Sequence, residues 1–511
     1  MKIERTKNAS RNIVSGTFLK VYQMIMPFIM RTIMIYALGE QYLGLNSLFT
    51  SILQVLNIAE LGVGSAMVFS MYEPISKDDT KKINALMRLY RKYYRIIGGI
   101  ILTAGLVILP FLHNLIKGET PNDINIYILY LLNLFATVLS YWMFAYRNSI
   151  LTAYQRVDIA NKVSIITDTL KYIFQICAII LFKNYYLYVI VIIITQIINN
   201  IMRAIVSYKI YPNYKPIGFL DIDETKKINK RIQDLFTSKI GMVIVNSADN
   251  IVISAFLGLR ILAIYQNYFF VVSAIIGIVS IIYVSCLAGV GNSLITETKE
   301  KNYIVFKRLT FLVCWISGFC TICFLCLYQP FMELWMGPER LLDYSAVVCF
   351  ALYFFVFEIN TLLNMFKDAA GIWHSDRFRP LVTAMSNLIM NLILVNIWGI
   401  YGVLLSTVLS TLFVGMPWLM HNLFTTVFSR ALIKDYLMQI VKYVLLVACT
   451  AIIAVFVCSF TVRTSLLLQL LLNLLICISL NVLFFYLAFC KTEEFAYCVE
   501  LCSKMVKKWK K

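Results

Sequence analysis

Runs of roughly 20 apolar residues, each closed by a basic cluster or a turn carrying Gly or Pro, follow one another along nearly the whole chain. At ~1.5 Å per residue, each run is long enough to cross a ~30 Å hydrocarbon layer. The pattern predicts an all-α, polytopic membrane protein with about 14 transmembrane helices, near residues 13–38, 45–71, 96–116, 124–146, 163–182, 185–208, 240–258, 261–291, 309–329, 343–366, 380–397, 400–421, 437–460 and 465–489. The first run follows MKIERTKNASRN directly, with no small-residue cleavage site, so the reading keeps it as a helix and not as a removable leader.

Composition agrees: 60% of the 511 residues are hydrophobic and only 14% charged, and the mean hydropathy is +0.77. Charge then orients the chain. The great majority of the 46 Lys and Arg fall in alternate loops, the termini included, while the opposite loops hold only Lys117, Lys183, Arg260, Arg340 and Arg463. The positive-inside rule places the protein in the cell (cytoplasmic) membrane with both termini cytoplasmic. The net charge of +19 is thus a topology signal and not a nucleic-acid footprint. The basic end KMVKKWKK is expected to lie on anionic headgroups with Trp509 at the interface.

The chain also repeats itself. LGEQYLGLNSLF at 38–49 lies over LGLRILAIYQNY at 257–268, with Gly39 over Gly258; Gly99 lies over Gly318, and RNSILTAYQRVD at 147–158 lies over KDAAGIWHSDRF at 367–378. Loop charge and span order match as well, which predicts two pseudo-symmetric lobes of six helices related by an axis along the membrane normal. The expected division is an N-lobe at 1–208, a cytoplasmic linker at 209–239 with a short interfacial helix at 223–236, a C-lobe at 240–425, two extra helices within 426–489, and a basic tail at 490–511.

Polar residues inside the spans mark the candidate site. Lys20, Gln23, Pro27 and Arg31 follow one helical stripe of the first span. On the second span Thr50, Gln54, Asn57 and Gly64 form another stripe with Glu60 beside it, and Asn246, Asp249 and Asn250 share a face of the seventh. Single Asn and Gln residues also serve as interhelical hydrogen-bond glue. Arg31 is different, because nothing in its own helix neutralises it, and an intramembrane cation belongs in a wet cavity. Repeat symmetry sets Asp249 at a similar depth, and the two are expected to pair across the cleft between the lobes. Glu358 lies in the middle of the tenth span, and Asp168 and Lys171 are spaced to pair with each other. Cys320, Cys323 and Cys326 lie three apart on one helix, but without nearby His or carboxylate ligands they read as packing residues; no metal or cofactor is expected. No glycine-rich phosphate loop, GK[ST] or HExxH occurs, and no external loop is long enough for a catalytic domain.

The order of a Pro and an Arg in the first span, LGEQYLGLNSLF, LNIAELGVGSAM and then a basic loop resembles the polysaccharide transporters of the multidrug/oligosaccharidyl-lipid/polysaccharide exporter superfamily. These flip undecaprenyl-diphosphate-linked repeat units for O-antigen or capsule, and their relatives include drug antiporters and lipid II flippases. The resemblance is densest over 27–74. It implies two six-helix lobes around a central cleft, plus two C-terminal helices, that open to each side in turn without ATP and are driven by an H+ or Na+ gradient. The partners it implies are the lipid-linked glycan and membrane lipids, and no nucleic acid. By the same resemblance Arg31 meets the diphosphate, whose oxygens a guanidinium can fork. From their places in the spans, Lys20, Gln23, Gln54, Asn57, Asn246 and Asn250 are expected to line the cavity, and Asp249, Glu60 and Glu358 to gate it or couple an ion. Lipid II flippases carry several basic residues in this half of the cavity, whereas Arg31 stands almost alone at mid-depth. A drug or cation antiporter of the same superfamily, or a membrane polymerase or glycosyltransferase, are the competing readings.

Overall fold

The computed structural model describes residues 5–118, 120–462 and 465–509. It is an all-α, multi-pass membrane protein. Among the described residues twelve helices are long and apolar enough to cross a bilayer, or thirteen if one bent pair counts as a span. A further apolar segment, Val243–Leu257, is shorter and matches the expected seventh span. By chain contacts the molecule divides into two compact units, Met1–Ala263 and Ile264–Lys511.

The first unit begins with α1 (Arg5–Ala37) and α2 (Glu40–Leu56), joined at Gly39. There φ is +111°, a backbone that L side chains rarely adopt. The predicted second span at 45–71 is not one helix. It breaks at a 3-10 turn, Asn57–Glu60, and restarts as α3 (Val63–Ser76). Gly62 sits at the break with φ +89°, and a Cβ there would lie 2.7 Å from the Leu235 Cβ. The chain bends because another helix crosses it at a point where only glycine fits.

Next come α4 (Thr80–Ile108) and α5 (Ile126–Trp142). The predicted fourth span ends at Trp142, four residues early. After Phe144, with φ +56°, the chain turns 45° into the short α6 (Asn148–Ala153). α7 (Val157–Ile180) and α8 (Tyr185–Ile210) follow, the first capped by an ion pair between Arg156 and Asp158 at 2.9 Å. α1 packs along α7, pinned by Asn12, whose amide donates to the Gln155 carbonyl and accepts from the Asp158 N–H.

α9 runs unbroken from Ile222 to Leu257. The expected interfacial helix and the expected seventh span are therefore one element. No proline interrupts this stretch, and its polar start passes directly into its apolar end. α9 packs on α2 and α3, and it ends at Gly258 with φ +92°. Gly39 and Gly258, matched in the sequence repeat, thus make the same kind of left-handed corner.

α10 (Leu259–Thr296) leads into the second unit. There α11 (Lys299–Met336) is the hub, packed by α12 (Tyr344–Ala369) on one side and by α16 (Ile433–Cys458) and α17 (Leu466–Phe489) on another. Between them α13 (Arg379–Trp398) pairs with α14 (Ile400–Ser410), which passes through a π-helical turn into α15 (Met416–Thr426). The two extra helices, α16 and α17, keep one face on α11 and leave side chains such as Phe456, Leu467 and Leu471 more than 60% exposed. Lipid suits such a face. α18 (Glu493–Trp509) docks its first turns on α11, where Phe495 stacks near Phe311 and Trp315. The headgroup contact expected of KMVKKWKK and Trp509 falls on side chains outside the described ones.

Candidate functional site

The polar residues predicted from the sequence fall into four places, three of them in the first unit. On α1 the stripe is uneven: Lys20 and Gln23 are exposed, whereas Pro27 and Arg31 are half-buried. Arg31 has the Tyr188 phenol of α8 as an electrostatic neighbour, and Tyr188 in turn is hydrogen-bonded to Gln175 of α7. The guanidinium therefore has an aromatic neighbour on α8 that is itself tied to α7.

The second place is the break in the second span. Asn57 accepts a hydrogen bond from the Tyr141 hydroxyl at 3.0 Å. The Tyr90 hydroxyl donates to Tyr94 at 2.6 Å, and Tyr94 donates to the Glu60 carboxylate at 3.2 Å. Gly64 makes room for them, since a Cβ there would come within 3.0 Å of the Glu60 carboxylate. The turn that interrupts the helix thus gathers an amide and a carboxylate against three tyrosines from α4 and α5. Gln54, a turn earlier, is exposed.

The third place is the contact of α2 with α9. Asn250 donates from its amide to the Ser51 hydroxyl at 2.8 Å, and Asp249 beside it is half-buried. Asn246 lies in α9, but its side chain is outside the described ones. Asp249 and Arg31 belong to the same compact unit, Met1–Ala263, in which α9 packs on α2 and α3. The shorter-range expectation holds: Lys171 meets Asp168 at 3.0 Å.

The fourth place, in the second unit, is Glu358 of α12. Its side chain is fully buried. One carboxylate oxygen accepts from the Tyr283 hydroxyl of α10 at 2.6 Å, while the other is buried with no hydrogen-bond partner. Buried polar atoms without partners are few in folded proteins. A proton or a small cation at the free oxygen would supply the missing partner. α11, packed on α12, carries two further buried hydroxyls without partners, Ser317 and Thr321.

Sequence reasoning missed the tyrosines at the helix break and at Glu358. Tyr94 is 34 residues from Glu60, Tyr141 is 84 from Asn57 and Tyr283 is 75 from Glu358, so no local spacing joins them. It also missed Arg147, which is fully buried with its guanidinium over the Tyr208 ring at 3.2 Å.

A family model described as "Polysaccharide biosynthesis protein" matches residues 9–287. Among solved structures the chain is similar to a lipid II flippase, MurJ, in an inward closed conformation, with a TM-score of 0.65 at 17% identity, covering 93% of this chain and 98% of that one. It is also similar to an inward-facing multidrug resistance MATE family transporter of the MOP superfamily, at TM-score 0.60, 14% identity, and 79% and 97% coverage. A eukaryotic MATE transporter follows at TM-score 0.56, 10% identity, and 82% and 96% coverage. No curated protein matches the sequence. At these identities the likeness to solved structures carries the fold.

Proposed function

We propose, from the premise that this chain belongs to the polysaccharide biosynthesis protein family, that it is a flippase and not an enzyme. It carries undecaprenyl-diphosphate-linked oligosaccharide repeat units from the cytoplasmic to the outer leaflet by alternating access, for a cell-surface polysaccharide such as O-antigen or capsule. A diphosphate with several sugars presents many polar groups, each costing kcal/mol to strip of water, so unaided crossing is very slow. A helical protein that offers these groups a polar path lowers that barrier while the lipid tail stays in the bilayer.

The observation that carries the reading is Arg31, half-buried in the first span beside Tyr188, inside the stretch that the family model covers. A guanidinium in that position can fork two diphosphate oxygens. Lys20, Gln23, Gln54, Asn57, Asn246 and Asn250 would offer hydrogen bonds to sugars. Glu358 would couple transport to H+ or Na+, supported by its unpartnered buried oxygen, with Glu60 and Asp249 as gating or coupling carboxylates. The protein would sit in the cytoplasmic membrane with both termini inside, as its basic loops suggest.

The test is to delete the gene and label the lipid-linked repeat unit from each side of the membrane. Accumulation on the cytoplasmic leaflet, relieved by the wild-type gene but not by Arg31→Ala expressed at equal level, is the expected result. Normal outward transfer in the deletion strain would sink the reading. The burial of Glu358 also favours a second reading, a drug or cation antiporter. That reading expects the deletion strain to gain sensitivity to cationic dyes while polysaccharide export continues.

A further inference from the structure

Three cysteines far apart in sequence meet in the second unit. Cys326 of α11, Cys458 at the end of α16 and Cys477 of α17 are all buried, and their sulfurs lie within 4.8 Å of one another. Cys323, three residues before Cys326 on the same helix, packs against the cluster. The spacing of cysteines along α11 supplies only one helix face; the fold adds the other two sulfurs. Around them the packing is apolar, with Ile322, Ala451 and Ala454 buried against the cluster.

We infer that this cluster is a binding site for a thiophilic divalent cation of the zinc class, held by Cys326, Cys458 and Cys477. Four features argue for it. The donor set is all sulfur, which selects soft d10 ions over magnesium, calcium or sodium. Zinc–sulfur bonds of about 2.3 Å place ligand sulfurs about 3.8 Å apart in a tetrahedral site, so a separation within 4.8 Å closes by small side-chain rotations. The ligand-bearing backbone is braced: the Asn473 amide donates to the Cys326 carbonyl at 3.0 Å, and the Thr461 hydroxyl donates to Asn473 at 2.7 Å. Outer-shell partners of this kind fix ligand orientation in metal sites. The cluster also lies near the surface, since Cys458 closes α16 beside a 3-10 turn whose Ser459 and Phe460 are exposed.

Packing alone does not require sulfur here. Alanine or valine would fill the same apolar space between these helices. Binding would convert at least two thiols to thiolates; their protons leave to water and the doubly charged cation offsets the new charge. The consequence is structural: one ion ties both extra helices, α16 and α17, to the hub α11.

The full-length protein, purified in detergent and fully reduced, is incubated with cadmium chloride, washed with a weak chelator and assayed for bound metal. Retention of one cadmium per chain, with a sulfur-to-metal charge-transfer band in the ultraviolet, is expected. Cys458→Ser and Cys477→Ser should bind more than tenfold more weakly, whereas Cys449→Ser, at an exposed position, should bind as wild type does. Bound cadmium should also raise the melting temperature of wild type but not of the two variants. No retained cadmium in wild type, equal retention in Cys477→Ser, or a disulfide among the three cysteines in protein prepared without reductant would overturn the inference. If the serine variants fail to fold, the wild-type stoichiometry and band decide alone.

Discussion

Single residues carry two kinds of information here, charge and the absence of a side chain. Glu358 is legible in the sequence because a carboxylate inside an apolar run is costly and needs a reason. Its partner is not legible, because Tyr283 comes from a different helix. The two make opposite predictions. Tyr283→Phe removes the one side-chain donor to a buried carboxylate and should cost about 1–3 kcal/mol, read as a lower melting temperature in detergent. Glu358→Gln removes the buried charge while keeping the shape and an acceptor for Tyr283, so the melting temperature should hold or rise. Under the proposed coupling role, gradient-driven transport in that variant should fall at least tenfold. A variant that keeps full gradient dependence would remove Glu358 from the coupling step. Gly62 shows the second kind. With φ +89° and Leu235 2.7 Å from where a Cβ would stand, Gly62→Ala should cost about 2–4 kcal/mol, the sum of a left-handed backbone and an overpacked contact. Thermal unfolding of the variant beside wild type measures it.

At the level of whole elements, length and hydropathy fix where helices lie but not where they break. LNIAELGVGSAM reads as one span carrying the polar Asn57 and Glu60, so the interruption between α2 and α3 has no local signature beyond these and its glycines; the crossing of α9 determines it. The same limit applies to α9, whose polar first half reads as a separate interfacial segment until the continuous helix is seen. α18 offers an element-scale test. Its Glu494 lies 3.0 Å from Lys307 of α11. Burial pushes that carboxyl up, but the hydrogen bond from Lys307 and the charges of Lys307 and Arg308 outweigh it, and the pKa lies below the ordinary carboxylate value of 4.5. A depressed folded pKa means that the docking contribution is present above the undocked value and is lost as pH falls through the docked one. Limited proteolysis of the full-length protein should therefore show α18 protected at pH 6, with cleavage rising only once the pH falls below the ordinary carboxylate value. Glu494→Gln should be cleaved faster at pH 6 and show no further acid step. Equal protection of both proteins across that range would mean that the apolar contacts of Phe495 hold the helix alone.

For the molecule as a whole, the repeat is the strongest thing the sequence offers, and the two glycines it aligns, Gly39 and Gly258, both make left-handed corners. What the repeat does not reveal is that the second corner packs with the first. Glu40, just after Gly39, meets Arg260, just after Gly258, at 2.9 Å. One turn along α2, an added Cβ on Gly44 would strike the Leu259 carbonyl oxygen at 2.2 Å. The corners are in backbone contact, so the ion pair spans a seam that no side chain larger than hydrogen could keep open at Gly44. Arg260 is 63% exposed, which limits the pair to about 0–1 kcal/mol. That is small for stability but enough to shift a two-state equilibrium about fivefold, because 1.4 kcal/mol is a factor of ten. If the seam parts during transport, Glu40→Ala should favour the parted state. Ser47 lies buried on α2, three residues beyond Gly44, and a cysteine placed there reports on opening. Its alkylation in intact membranes, followed on the peptide by mass spectrometry, should speed up as much as fivefold with Glu40→Ala. The swap Glu40→Arg with Arg260→Glu should bring it back. High salt should act on wild type in the direction of the alanine variant, because an exposed pair is screened. An alkylation rate indifferent to all three would make this corner a fixed part of the first unit and move the opening step elsewhere.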